Sequence, residues 1–174
     1  ILSGLVGSEM CIRDRIAAFG DETLAPQQIS AIVKADLQRS GFFKIIDTGG
    51  VLTENSQLNL ADWKYRGADA IVVGSVSRLA DGRFEVRYRL FDTVKGTQLS
   101  SLALASQPQF LRVSAHKVAD DVYEKLTGIK GAFATRIAYV TKSGKEFRLE
   151  IADSDGEGTQ VALRSNEPII SPSW

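Results

Sequence analysis

The side chains best suited to chemistry are scarce: the chain has one histidine, His116, and one cysteine, Cys11. No triad that pairs a histidine with a cysteine can be assembled, and no multi-histidine metal site. Cys11 has basic neighbours in Arg13 and Arg15 but no second cysteine and no nearby histidine to form a thiolate pair. His116 neighbours Arg112 and Asp120 on its helix and reads as a surface or partly covered helical histidine. Asp153, Asp155 and Glu157 alternate around Gly156, faintly like the start of a calcium loop. The stretch lacks the length and the terminal bidentate glutamate of that loop, and between two strands Asp and Gly are what a tight turn prefers.

Glycine patterns are equally unspecific. Lys142-Ser143-Gly144-Lys145 has neither the upstream glycine nor the Ser or Thr after the lysine that a phosphate loop needs, and reads as a hairpin tip. Gly67, Gly74 and Gly82 lie in separate connections or strand positions and make no dinucleotide fingerprint. No hydrolase elbow and no paired buried carboxylates are found. No catalytic, cofactor-binding or metal-binding residue is therefore expected, and the chain reads as a binding or scaffold module.

Composition agrees with that class. The 174 residues suit about one domain with room for part of a second. Lys plus Arg and Asp plus Glu are 21 each, so no positive field attracts phosphate backbones and nucleic acid is not an expected partner. No stretch reaches the roughly 18 consecutive apolar residues of a membrane-spanning helix, so direct membrane insertion is not expected.

The opening ILSGLVGSEMCIRDR fails as a signal peptide, because Ser3, Gly4 and Gly7 interrupt its apolar part and no basic region precedes it. Reverse-translated, residues 5–15 resemble a transposase-based sequencing adapter read in one frame. Residues 1–15 are accordingly expected to be foreign to the protein, with native patterning from Ile16.

From there the elements follow in order. IAAFG (16–20) reads as a short strand, and APQQISAIVKADLQRSG as an amphipathic helix with Pro26 at its start, Ile29, Ile32, Val33 and Leu37 on one face, and Gly41 as its stop. FFKIID (42–47) is a strand ended by Thr48, Gly49 and Gly50, which makes a βαβ unit with parallel strands. LADWKYRG (60–67) reads as a short helix and DAIVVGSVSRL (69–79) as a strand most buried at Ile71 to Val73. RFEVRYRLFD (83–92) alternates apolar and charged residues after the turn Asp81-Gly82, and TQLSSLALAS (97–106) continues the meander. Leu111, Ala115, Val118, Val122 and Leu126 mark a second long helix over Pro108–Leu126, with Gly128 as its exit. The expected fold is α/β: a mixed sheet covered by two long helices over residues 16–127, then an interdomain linker of Gly128, Ile129, Lys130, Gly131, Ala132 and Phe133. Residues 134–174 read as short strands at turn-spaced intervals, an incomplete β-meander.

The stretches QQISAIVKADLQRSGFFKIID, YRGADAIVVGSVSRLADGRFEVRYRLFDT and HKVADDVYEKLTGIKGAFATRIAYVTK resemble the TolB family, periplasmic propeller proteins of the Tol-Pal cell-envelope system of Gram-negative bacteria. The resemblance runs from about Ile16 to Trp174, and SPSW at the end is similar to the start of a blade repeat. It implies an α/β domain joined through LTGIKGAF to a six-bladed β-propeller, of which 134–174 would be a truncated first blade. It also implies a non-enzymatic role in outer-membrane integrity, constriction at division and colicin import. In the family the propeller binds the lipoprotein Pal and the mature N-terminus engages TolA. Neither set of contact residues can be carried onto this chain, so partner-binding residues stay unassigned and the chain alone is expected to bind neither. Phe133, Ile137 and Tyr139 are expected to be partly exposed without further blades. Two other readings stay open: the front of a propeller-containing prolyl-oligopeptidase-like peptidase, and a stand-alone α/β envelope module.

Overall fold

The apolar spacing of the first 130 residues resolves into a sheet with helices on it. The computed structural model describes residues 12–20 and 25–170. The chain falls into two compact units that divide between Lys130 and Gly131.

In the first unit, strand β1 (Ile12–Ala18) leads to helix α1 (Ile29–Arg39) and strand β2 (Phe43–Val51). β1 and β2 are parallel. A short helix α2 (Leu60–Tyr65), N-capped by the Asn59 side chain, precedes β3 (Ala70–Arg78), which lies parallel to β1 on its other side. β4 (Phe84–Asp92) and β5 (Thr97–Ser106) add antiparallel, so the order across the mixed sheet is β2-β1-β3-β4-β5. A turn of 3-10 helix (Pro108–Phe110) then feeds α3 (Leu111–Thr127), which Gly128 ends in the left-handed conformation with φ 74°.

Period-two alternation in β3 and β4 sorts two cores onto two faces. On one face Val86, Tyr88 and Leu90 of β4 are buried together with Val72 and Val76 of β3. Tyr88 bonds to α3, so this is the face that α3 covers. Ile29, Val33 and Leu37 of α1 and Leu111, Ala115, Val118 and Val122 of α3 are all fully buried, which is what their three- and four-residue spacing requires. On the other face Ile71, Val73 and Phe91 pack with Leu52, Leu58, Leu60 and Trp63. Gly74 is sterically required in β3: a Cβ there would stand 2.5 Å from the Arg87 carbonyl oxygen and 2.8 Å from the Phe19 ring.

Four boundaries differ from expectation. The first strand runs over Ile12–Ala18 rather than 16–20, so residues 12–15, read as foreign to the fold, pair with Phe43–Ile46. Sheet pairing is made by backbone groups and accepts these residues whatever their side chains. Residues 1–11 lie outside the described residues. β2 does not end at Gly49-Gly50 but continues to Val51, because the register jumps from Ile16↔Asp47 to Ala18↔Val51 and a bulge at Gly49, φ 74°, absorbs the extra residues. α1 begins at Ile29, with Gln28 rather than Pro26 at its threshold, and α3 begins at Leu111 after the 3-10 turn that Pro108 opens.

The second unit is a three-stranded antiparallel meander of β6 (Arg136–Ser143), β7 (Glu146–Asp153) and β8 (Gln160–Ser165), in that order. Ala152 is its one buried apolar residue among those described. Ile137, Val161 and Leu163 are exposed, and Phe133 and Tyr139 are half-buried. A sheet with so little cover has no core of its own.

Candidate functional site

Asp36 interrupts the apolar stripe of α1 between Val33 and Leu37, and a carboxylate at such a position must find a partner. Its partner is His116 on α3, 80 positions later in the chain, with Asp36 Oδ2 and His116 Nδ1 2.6 Å apart. Both side chains are sealed, at 0% and 1% exposure. Arg39, one helical turn on, reaches the other carboxylate oxygen at 3.4 Å from the protein surface. The expectation of a surface or partly covered His116 is thus corrected: its helical neighbours Arg112 and Asp120 are not what defines it, since the tertiary partner arrives from a different helix.

A carboxylate holding Nδ1 is the arrangement that orients a histidine base. Here the pair is buried between α1 and α3, so what it does is join two helices, not present a base to solvent. Sequence reasoning misses Asp36 as a partner of His116. The signal that could have found it is an acid inside an otherwise apolar helical face.

A second polar cluster ties α3 to the sheet. The Tyr88 hydroxyl donates to Asp121 Oδ2, and Ser100 Oγ donates to the same oxygen at 2.6 Å. Burial, reinforced by the bond to Asp121, raises the Tyr88 hydroxyl pKa well above its ordinary 10.0. The cluster fixes how α3 lies along β5, since Ser100 faces Asp121 at one end while Leu104 to Ser106 face Val113 and Ser114 at the other.

The residues picked out from sequence for a linker divide between the units. Gly128, Ile129 and Lys130 close α3: the Gly128 N–H donates to the Glu124 carbonyl at 2.8 Å and the Ile129 N–H to Thr127 Oγ1 at 3.1 Å. Gly131, Ala132 and Phe133 open the meander, where Thr135 donates to the Ala132 carbonyl and Ser154 Oγ to the Phe133 carbonyl at 2.7 Å. All six of these residues are exposed or half-buried.

The acidic stretch Asp153 to Gly158 is a turn between β7 and β8. Its Glu157 N–H donates to Asp155 Oδ1, the Gly156 N–H to the Asp153 carbonyl, and Gly156 and Gly158 take positive φ. Asp153 pairs with Arg136 at 3.6 Å. Lys142 to Lys145 form a hairpin tip, with Gly144 at φ 61°. Next to it, hydrogen bonds from Arg148 hold the Glu146 carboxyl below the usual carboxylate range, and Arg164 adds to them.

With this geometry in place, the family can be read. The model of the TolB amino-terminal domain matches residues 13–99, and that of the TolB beta propeller domain matches residues 123–174. The chain belongs to the TolB family. The Tol-Pal system protein TolB of Polaromonas sp. strain JS666 is 58% identical over 160 residues, 91% of this chain and 38% of that relative. That of Bordetella avium is 51% identical over the same span. The crystal structure of TolB from Acinetobacter baumannii superimposes with a TM-score of 0.82 at 35% identity, over 94% of this chain and 41% of that one. The chain therefore spans under half the length of these TolB relatives, and the α/β fold and the start of a propeller are those of the family. Among the described residues no helix is long and apolar enough to cross a membrane.

Proposed function

We propose that this chain is the α/β scaffold and the opening propeller strands of a non-enzymatic, periplasmic interaction component of the Tol-Pal system. In the whole protein this component would serve outer-membrane integrity, constriction at division and colicin import. Pal and TolA would be its partners, and Gly128–Phe133 would be the linker between its domains. The observation that carries the reading is the collinear match at 58% identity to proteins named as Tol-Pal components, across both units of the chain. The placement of the one histidine supports the non-enzymatic part: His116 is paired with Asp36 and sealed from solvent inside the α/β unit.

The test is a hybrid gene in which residues 16–174 replace the matching region of a full-length relative, expressed in a strain lacking its own copy. Restored resistance to detergent and retention of periplasmic marker proteins are expected, together with capture of Pal by the hybrid. A hybrid that accumulates in the periplasm yet leaves the envelope leaky and captures no Pal would refute the proposal.

A further inference from the structure

The two edges of the five-stranded sheet are unlike. β2 is defended in the usual way, with the exposed Lys44 and a glycine bulge that breaks its register. β5, TQLSSLALAS, has ten residues without a charge or a proline, and among the described residues β4 is the one strand it pairs with. Every second residue of such an edge directs its N–H and C=O outward, ready to pair with another extended chain.

Beside that edge lies a groove of about 330 Å³ walled by Leu104, Ala105 and Ser106 of β5 and by Phe110, Val113 and Lys117. Because Ser100 meets Asp121 while Leu104 to Ser106 meet Val113, β5 and α3 run antiparallel and nearly in line. One helical turn from Val113 to Lys117 is about 6 Å, and two residues of a strand are about 6.6 Å. A strand laid on β5 would thus place one side chain against Val113 and Phe110 and the next on the same face beside Lys117. Lys117 is the one charged residue in the wall of this groove.

The geometry points to a strand-addition site: the free edge of β5 and the groove under α3 receive an extended segment of a partner protein that carries an apolar residue and, two positions away, a carboxylate. The backbone of the edge supplies pairing, the groove takes the apolar side chain, and Lys117 selects the acid. This inference stands on the sheet edge, the groove beside it and Lys117, and is independent of the Tol-Pal assignment.

The experiment is selection of random seven-residue peptides displayed on phage against the full chain, followed by fluorescence anisotropy with the recovered peptides. The enriched sequences should share an apolar residue and an Asp or Glu two positions apart. K117E, a change at an exposed position, should weaken them about tenfold and favour versions in which the acid is replaced by Lys. Hydrogen exchange should slow at alternate amides of β5 and not in β2. Failure to enrich a sequence family, binding indifferent to K117E, or protection elsewhere would each overturn the proposal. So would protection of β5 that grows with the concentration of the chain by itself, since a second copy would then fill the edge.

Discussion

The contact between Asp36 and His116 is the perturbation with the clearest arithmetic. Removing the imidazole in His116→Ala leaves a carboxylate at 0% exposure whose one remaining charged neighbour among its ion pairs is Arg39, at 3.4 Å and with a side chain 45% exposed. Breaking a buried pair from one side costs about 3–5 kcal/mol, whereas replacing both members with apolar residues is often neutral or stabilising. Set against a total of roughly 5–15 kcal/mol for a domain, either single change consumes much of what holds the α/β unit together. At this size the loss corresponds to a fall of roughly 10–20 °C in Tm. His116→Ala and Asp36→Ala should each show this in urea unfolding of the full chain followed by far-UV circular dichroism. Asp36→Val with His116→Leu should recover most of it. Amide exchange in α1 and α3 assigns the loss to these two helices rather than to the meander. Single variants within about 1 kcal/mol of the parent, or a double variant whose cost is the sum of the two, would show that the pair is not coupled and sink the reasoning.

Other expectations are briefer. Gly74→Ala should cost about 2 kcal/mol or more, measured by the same unfolding curves, because the new methyl meets backbone oxygen rather than a side chain that can swing away. Tyr88, raised above its ordinary pKa, stabilises the fold fully below about pH 10 and loses that contribution as pH climbs past it, since the unfolded chain then releases a proton the folded one keeps. Tyrosinate absorbance should accordingly show one of the four tyrosines ionising late, and Tyr88→Phe should abolish the late step. In the meander, amides of β6 and β8 should exchange faster than those of α3, because Ile137, Val161 and Leu163 lie open to water. Amplification of source DNA across codons 1–15 should find them discontinuous with the gene from Ile16 onward; recovery of one contiguous product from independent libraries would disprove the adapter reading.

The periodic segments were legible because burial imposes their spacing. Val33 and Leu37 on α1, Val118 and Val122 on α3, and the alternation of Phe84, Val86, Tyr88 and Leu90 all face where their intervals place them. Glycines punctuated helix ends faithfully at Gly67 and Gly128, where positive φ is needed, but misled at Gly49, where the same conformation serves a bulge inside a strand. The histidine was misplaced for a different reason. Its environment is set by a residue 80 positions away, and periodicity reports which face is buried without saying what a polar group on that face will meet. Asp36 could have been flagged as an acid on an apolar face; that its partner is His116 could not.

The order of the sheet has a bearing on how the chain acquires its form. β1 and β2 close locally, but the cover over α1 and the counterpart of Asp36 come from α3, the last element of the first unit. Before α3 has emerged, α1 has only β1 and β2 to pack against, and the Asp36 carboxylate lacks the imidazole it pairs with in the finished unit. In the finished unit α3 is placed as a keystone is in an arch: the last piece along the chain, bearing on α1 on one side and on β4 and β5 beneath.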